Sequence, residues 1–348
     1  MALCEIRIST YRRPRWLERA IGSLLAQDLP DWRAVVFDDS PDREGEQVVR
    51  NIADKRIEYR PNPRNLGAAG NIDQCFQSGP VAGGAYACIL EDDNWFYPGF
   101  LSSNVRALTE SNCAIGLRNQ SVWRQFVDRV ERTEETTLGR YYSDGIYSPV
   151  QLCARLFLGH GISQGGLFWS LRSAGASLMV GPKISDPGLS ETCRTLLITQ
   201  PVVFRTEPQC AWAQMDESLC VRTFNNTRVY GRAIQSIRRY AVRLHGRSVL
   251  AEAARLAQSQ QRQREFRTNR LDSFLEFRAQ KGRWWRDVAR MAKSAAKWIT
   301  VRDRAGAFIR DLEQALDAQI ACSTVATPAV PRPDPSAPGP VDALPTAA

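Results

Sequence analysis

Two apolar stretches that each end in acids constrain this chain more than any other feature of it. Arg33–Asp38 contains the run AVVF and is followed at once by Asp39, and Ala85–Leu90 runs into Glu91, Asp92 and Asp93. A short continuous apolar run bounded by turn residues reads as a strand buried on both faces, as in a parallel sheet. Two such strands deliver paired carboxylates to the carboxyl edge of the sheet, where open α/β folds bind ligands.

The rest of the first 117 residues fits that frame. Cys4–Ser9 reads as a short first strand, and Pro14 stands where a helix starts, with Trp16, Leu17, Ala20, Ile21, Leu24 and Leu25 at helical spacing behind it. A polar helix over about 43–54, a strand over 56–60, a helix over 67–78 and a further helix opened by Pro98 follow. The predicted class is α/β: a nucleotide-binding sheet flanked by helices, with a helical C-terminal extension. Beyond it the spacing predicts helices over about 119–135, 148–158 and 188–198, strands at LFWSL and VVFRT, and a glycine-rich loop over 159–166. The domains expected are a catalytic unit over 1–225, a basic helical extension over 226–325, and a disordered Pro/Ala-rich tail over 326–348.

Each motif has a plain reading and a chemical one. ILEDDNWFYPGFL (89–101) is an acidic turn before a helix, or a place where one acid faces a ribose and its neighbour a hard cation on a diphosphate. FDDSPD (37–42) is an Asx-turn, or a second acid pair that meets the same nucleotide. STYRRP (9–14) offers the Tyr11 ring for stacking on a base, and NPRNLGAAGNIDQCF (62–76) offers Gly67 and Gly70 for close backbone approach, with Asn65 and Asn71 as hydrogen-bonding groups.

In this order and spacing the four segments resemble the nucleotide-binding half of the family 2 glycosyltransferases, which have the GT-A fold. The matching residues are Ser9, Tyr11 and Arg12; Asp38 and Asp39; Asn65, Gly67 and Asn71; and Glu91, Asp92 and Asp93. The likeness is clear over about 3–117, weaker to 225, and absent from the last third. It implies transfer of a sugar from a nucleotide-sugar donor, with UDP the common carrier, to a glycan or lipid-linked acceptor with inversion. It implies roles too: Tyr11 on the base, Asp38 or Asp39 accepting from the base, Asp92 on the ribose, and Asp93 on Mg²⁺ or Mn²⁺. ISDPGLSETCRTLLITQPVVFRTEP (184–208) resembles the family's later acidic segment, which makes Glu191 the expected general base and Asp186 its fallback. Thr192 stands where the family has a second acid, a departure that favours the rival reading, a non-catalytic protein that binds nucleotide sugars. The loop Gly159–Gly166 is expected on the acceptor side, with His160 in it.

Composition narrows the partners. Residues 1–225 hold 24 Lys/Arg against 26 Asp/Glu, whereas 226–313 hold 21 against 8, so the net charge of +9 belongs to the C-terminal segment. Trp284, Val288, Met291, Ala295 and Trp298 fall on one helical face there, among six cations. That stripe is expected either to meet an anionic membrane surface through 280–305 or to pack on protein. Nucleic acid is not expected, because no base-stacking platform accompanies the charge. Nine cysteines without a CxxC and only two histidines argue for a reducing compartment and against zinc or Ser–His chemistry. With no long apolar run and no signal-like N-terminus, the expected location is cytoplasmic, peripheral to a membrane at most.

Overall fold

The structure is a computed structural model that describes residues 3–173, 177–215, 227–257, 309–318 and 321. The expected lipid-binding stripe at 280–305 and the tail over 326–348 lie outside the described residues, as does the proposed boundary at 225.

The parallel core forms as the apolar runs dictate. Strand β1 (Cys4–Thr10) lies between β2 (Trp32–Asp38) and β4 (Tyr86–Glu91), parallel to both, and β3 (Ile57–Pro61) extends the sheet beyond β2. The helices α1 (Pro14–Leu25), α2 (Glu44–Ile52) and α3 (Gly67–Gln74) make the crossovers. Pro14 sits in the first turn of α1, where its missing N–H costs nothing, and Leu17, Ala20, Ile21 and Leu24 bury one stripe. That stripe packs with Ile6, Ile8, Val36 and Leu90 on one face of the sheet.

The opposite face of β1 carries charge. Glu5 and Arg7, two residues apart and so on one face, pair at 2.6 Å with both side chains fully buried. Arg7 also donates to the carbonyls of Cys75, Gln77 and Gly79, and Glu5 accepts from the amides of Val81, Ala82 and Gly84. A buried ion pair survives only when its remaining hydrogen-bonding sites are filled. Here they are filled by the loop that runs from α3 to β4.

After the two-residue β5 (Trp95–Phe96) and helix α4 (Phe100–Ser111), the chain departs from expectation. Residues expected as a helix over 119–135 form a hairpin, β6 (Ile115–Gln125) and β7 (Val130–Thr136). Tertiary pairing decides this, because residues 120–125 of β6 pair with β10 on one side and with β7 on the other. Strand β8 (Gly145–Tyr147), helix α5 (Pro149–Arg155), two short 3₁₀ turns, β9 (Leu167–Ser170), helix α6 (Pro187–Leu197) and β10 (Val202–Met215) complete this half. The sheet order is β3-β2-β1-β4-β9-β6-β10-β5, with β9 antiparallel to both β4 and β6.

The described part of the C-terminal segment is helical, as expected: α7 (Thr227–His245) and α8 (Arg247–Ala257), with a further helical stretch at 309–318. Ile237, Tyr240, Val249, Leu312 and Leu316 join the same apolar cluster as β9 and α6. No described helix is long and apolar enough to cross a membrane.

Candidate active site

The carboxyl ends of β1, β2 and β4 meet at one edge. Asp92 follows β4, with its amide on the Ser9 carbonyl at 3.2 Å, and its carboxylate accepts from the Thr10 hydroxyl at 2.9 Å and the Tyr11 amide at 3.2 Å. Arg13 reaches the same place from the start of α1. Its Nη1 lies 3.2 Å from Asp92 Oδ1 and 2.8 Å from Asp93 Oδ2. Arg19, one turn and a half further on, donates to the Asp93 carbonyl at 2.6 Å. Burial pushes the Asp92 carboxyl up to about 7, with Asp93 nearby adding to the rise and Arg13 opposing it. Asp93 is raised by the same burial.

Beyond this cluster opens a cavity of about 530 Å³, lined by Glu91, Gln120, the loop Gly159–Gly165, Gly188, Glu191, Thr192, Trp212 and Tyr230. Gln164 spans it. Its side-chain amide donates to Glu91 at 3.1 Å, and its backbone N–H donates to Glu191 at 2.7 Å. Burial raises the Glu91 carboxyl to about 8, with Asp93 and Glu191 contributing, and raises Glu191 as well. Gln164 is itself fixed by the fully buried Arg194, which donates to its side-chain oxygen at 2.7 Å and pairs with Asp73 at 2.7 Å. Two residues on, a Cβ on Gly166 would collide with the Arg118 carbonyl, so this loop needs glycine to lie against β6. His160 stacks on Tyr141 at the rim.

The structure therefore brings Glu91, Asp92, Asp93 and Glu191 to one edge of the sheet and assigns other expected residues elsewhere. Asp186, the expected fallback base, is the N-cap of α6, where one of its carboxylate oxygens accepts from the Leu189 amide at 2.8 Å, and it is absent from the cavity lining. Asp38 is fully buried and accepts from the amides of Ser40 and Gly45 and the Tyr59 hydroxyl. Asp39 accepts from Asn62 and from the amides of Leu66 and Gly67. Both carboxylates thus already accept from protein donors at this edge. Asn65 closes the same loop, on the Asp39 carbonyl and the Gly67 amide. Asn71 is buried, bridging the carbonyls of Thr10 and Phe37. Ser9 is buried within β1. Gly67 takes φ +72°, and Arg12, at φ 53°, donates its amide to Ser40. Tyr11 is 43% exposed, with the Arg12 guanidinium 5.5 Å from its ring centroid.

Sequence reasoning did not single out Thr10, Arg13, Arg19 or the Gln164–Arg194–Asp73 relay. The arginine doublet in STYRRP was a usable signal, since a cation beside a strand-end acid pair has an obvious counter-charge. Nothing local joins Arg194 to Asp73, 121 residues away.

Asp92 and Asp93 also pass a simple fit test for a hard cation. Both offer oxygen, and one oxygen of each already points at a single positive group, Arg13 Nη1. Two carboxylates are enough for a cation that completes its shell with diphosphate and water oxygens. Among the described residues no group of three or more His, Cys, Asp or Glu side chains could hold a metal by itself.

Comparison with known proteins agrees with this architecture. Residues 6–151 match glycosyl transferase family 2. A stretch of 102 residues is 32% identical to the putative colanic acid biosynthesis glycosyl transferase WcaA of Escherichia coli, covering 29% of this chain and 36% of that protein. Another of 124 residues is 30% identical to the GalNAc(5)-diNAcBac-PP-undecaprenol beta-1,3-glucosyltransferase of Campylobacter jejuni, covering 33% and 39%. The matched stretches span little more than a third of these relatives' own length. Among solved structures, S. aureus TarS 1–349 in complex with UDP-GlcNAc superposes with a TM-score of 0.54 at 14% identity, over 91% of this chain and 83% of that one. Over residues 6–151 the chain is thus similar to glycosyl transferase family 2, and the described chain has the GT-A-like fold.

Proposed function

We propose that this protein transfers a sugar from a nucleotide-sugar donor to the hydroxyl of a glycan or lipid-linked acceptor, with inversion at the anomeric carbon. The observation that carries the reading is the single carboxylate edge running from Asp93 through Glu91 and Gln164 to Glu191. Asp93, with Asp92 beside it, would hold Mg²⁺ or Mn²⁺, which when bound would neutralise charge on the diphosphate. The Tyr11 ring stacks on the base, and UDP is the favoured carrier; the TarS neighbour was itself solved with UDP-GlcNAc.

Glu191 acts as general base. It takes the acceptor hydroxyl proton as the oxygen attacks the anomeric carbon and the bond from that carbon to the diphosphate oxygen breaks. The Gln164 amide fixes one Glu191 oxygen, and burial raises its proton affinity. Cys75, Cys193 and Cys210 are buried, and burial pushes their thiols up, so none of them is an activated nucleophile.

The test is binding of UDP by calorimetry, with Mn²⁺ and with EDTA. Cation-dependent affinity in the parent that is lost in Asp93→Asn, with an unchanged melting temperature, supports the reading. Equal affinity in EDTA and Mn²⁺ refutes the cation's part. A protein that binds UDP-sugars and hydrolyses or transfers none would be the non-catalytic binder that Thr192, in the second acid's place, would suit.

A further inference from the structure

A second cleft lies on the other side of Asp93, between the start of α1 and the β6–β7 hairpin, with a volume of about 490 Å³. Five arginines line it, Arg12, Arg13, Arg15, Arg19 and Arg129, against one lining carboxylate, Asp128. Residues 1–225 as a whole carry slightly more acid than base, so general basicity does not account for this concentration. Carboxylates at the margin, Asp42, Asp92, Asp93 and Glu131, offset part of this charge, yet guanidinium groups crowded in one concave surface still favour a bound anion.

The five are not equally committed. Arg13 and Arg19 are anchored on Asp93, and Arg19 is further held by Gln125 at 2.8 Å and by the Trp95 ring at 4.4 Å. Arg19 Nε is nevertheless buried with no hydrogen-bond partner among the described residues. Arg129 leans on Glu131 at 2.7 Å and Asp128 at 3.4 Å, and Arg12 lies 3.6 Å from Asp42. Apolar groups share the lining: Pro14, Trp16 and Val127, the last 72% exposed.

We propose that this cleft binds a phosphate or diphosphate group of the acceptor, at a position separate from the donor's own diphosphate. The proposal rests on the glycosyl-transfer reading for the word acceptor, and on the cleft alone for the anion. Guanidinium forks match phosphate oxygens two bonds at a time, which ammonium groups do not. The neighbouring apolar groups suit a phosphate carried on a hydrocarbon chain. Strand β6 joins the two sites: Gln125 lines the cleft and Gln120 lines the Glu191 cavity. Five residues of strand span about 16 Å. An acceptor anchored by its phosphate in the cleft has about that distance to cover before its hydroxyl meets Glu191.

The experiment is calorimetry on the full chain in EDTA, with inorganic pyrophosphate in one arm and farnesyl diphosphate in the other, for the parent and for Arg15→Ala combined with Arg129→Ala. Both side chains are exposed, so the variant keeps its fold, which its melting temperature verifies. Expected is binding in EDTA that falls at least about tenfold in the variant, while affinity for UDP with Mn²⁺ stays at the parent value. Tighter binding of farnesyl diphosphate than of pyrophosphate assigns the phosphate to a lipid carrier, and equal binding assigns it to the phosphate alone. No binding in either arm, binding indifferent to the two arginines, or pyrophosphate displaced by UDP overturns the proposal. If pyrophosphate binds through the arginines while UDP does not bind with Mn²⁺, the anion site stands and UDP falls as the donor's carrier.

Discussion

The two halves of the site are built by different means. On the donor side, every acid sits at the end of a strand whose apolar run can be seen from the sequence, and its neighbours are within a few residues or on the next strand. On the acceptor side, Glu191 comes from a helix, Gln164 from a loop, Arg194 from the next turn of that helix, and Asp73 from α3. A site written at strand ends is local, whereas a site written across loops depends on side chains that meet only after the chain has folded. The donor half should therefore tolerate damage to the acceptor half better than the reverse.

The largest effect expected is at Glu191. Glu191→Gln should lower turnover by ~10²–10⁴-fold, as loss of a general base does, and leave UDP affinity at the parent level. The base must be ionised to act, and burial raises its carboxyl. So the parent rate should climb with pH through an inflection above the ordinary carboxylate range, and the residual rate of the variant should lack that inflection. A variant that transfers sugar at the parent rate would move the base elsewhere and erase the contrast between the halves.

Next comes the relay. Arg194→Ala leaves Asp73 buried beside the amides of Val180 and Gly181 without its cation, and removing one partner of a buried pair costs ~3–5 kcal/mol. Urea unfolding should report that loss, and turnover of the remaining folded protein should fall further, because Gln164 loses its anchor. A loss below 1 kcal/mol would show that the acceptor half is no more interdependent than the donor half.

The smallest effect tests the donor half. Gly67 holds φ +72° with nothing within 4 Å of a would-be Cβ, so Gly67→Ala meets no clash and bears only the conformational cost. A loss of ~1–2 kcal/mol follows from the left-handed backbone alone. A larger loss would mean that the loop 62–67 is as tightly coupled as the relay.

This division explains what was legible. The placement of Asp92, Asp93 and Tyr11 beside strand ends and the chain order of the first four strands could be read because strand periodicity and turn chemistry are local. The hairpin at 115–136 could not, because RNQSVWRQ takes its conformation from pairing with β10 and β7 rather than from its own spacing. Asp38 and Asp39 show the opposite limit. Their place at the edge was visible, but their protein partners were not, since only the folded chain brings Tyr59, Asn62 and Leu66 to those carboxylates.

Strand β9 lies between the two halves, paired with Tyr86–Cys88 on one side and Ile115–Leu117 on the other. Gln164 precedes its first residue by only three positions, so the strand acts as a caliper for the whole site. A slip of one residue would turn every β9 side chain to the other face and carry Gln164 about 3.3 Å along the sheet. Its 3.1 Å and 2.7 Å bonds to Glu91 and Glu191 could not both survive such a step. The spacing between the donor acids and the base is thus kept not by either half but by the four residues LFWS.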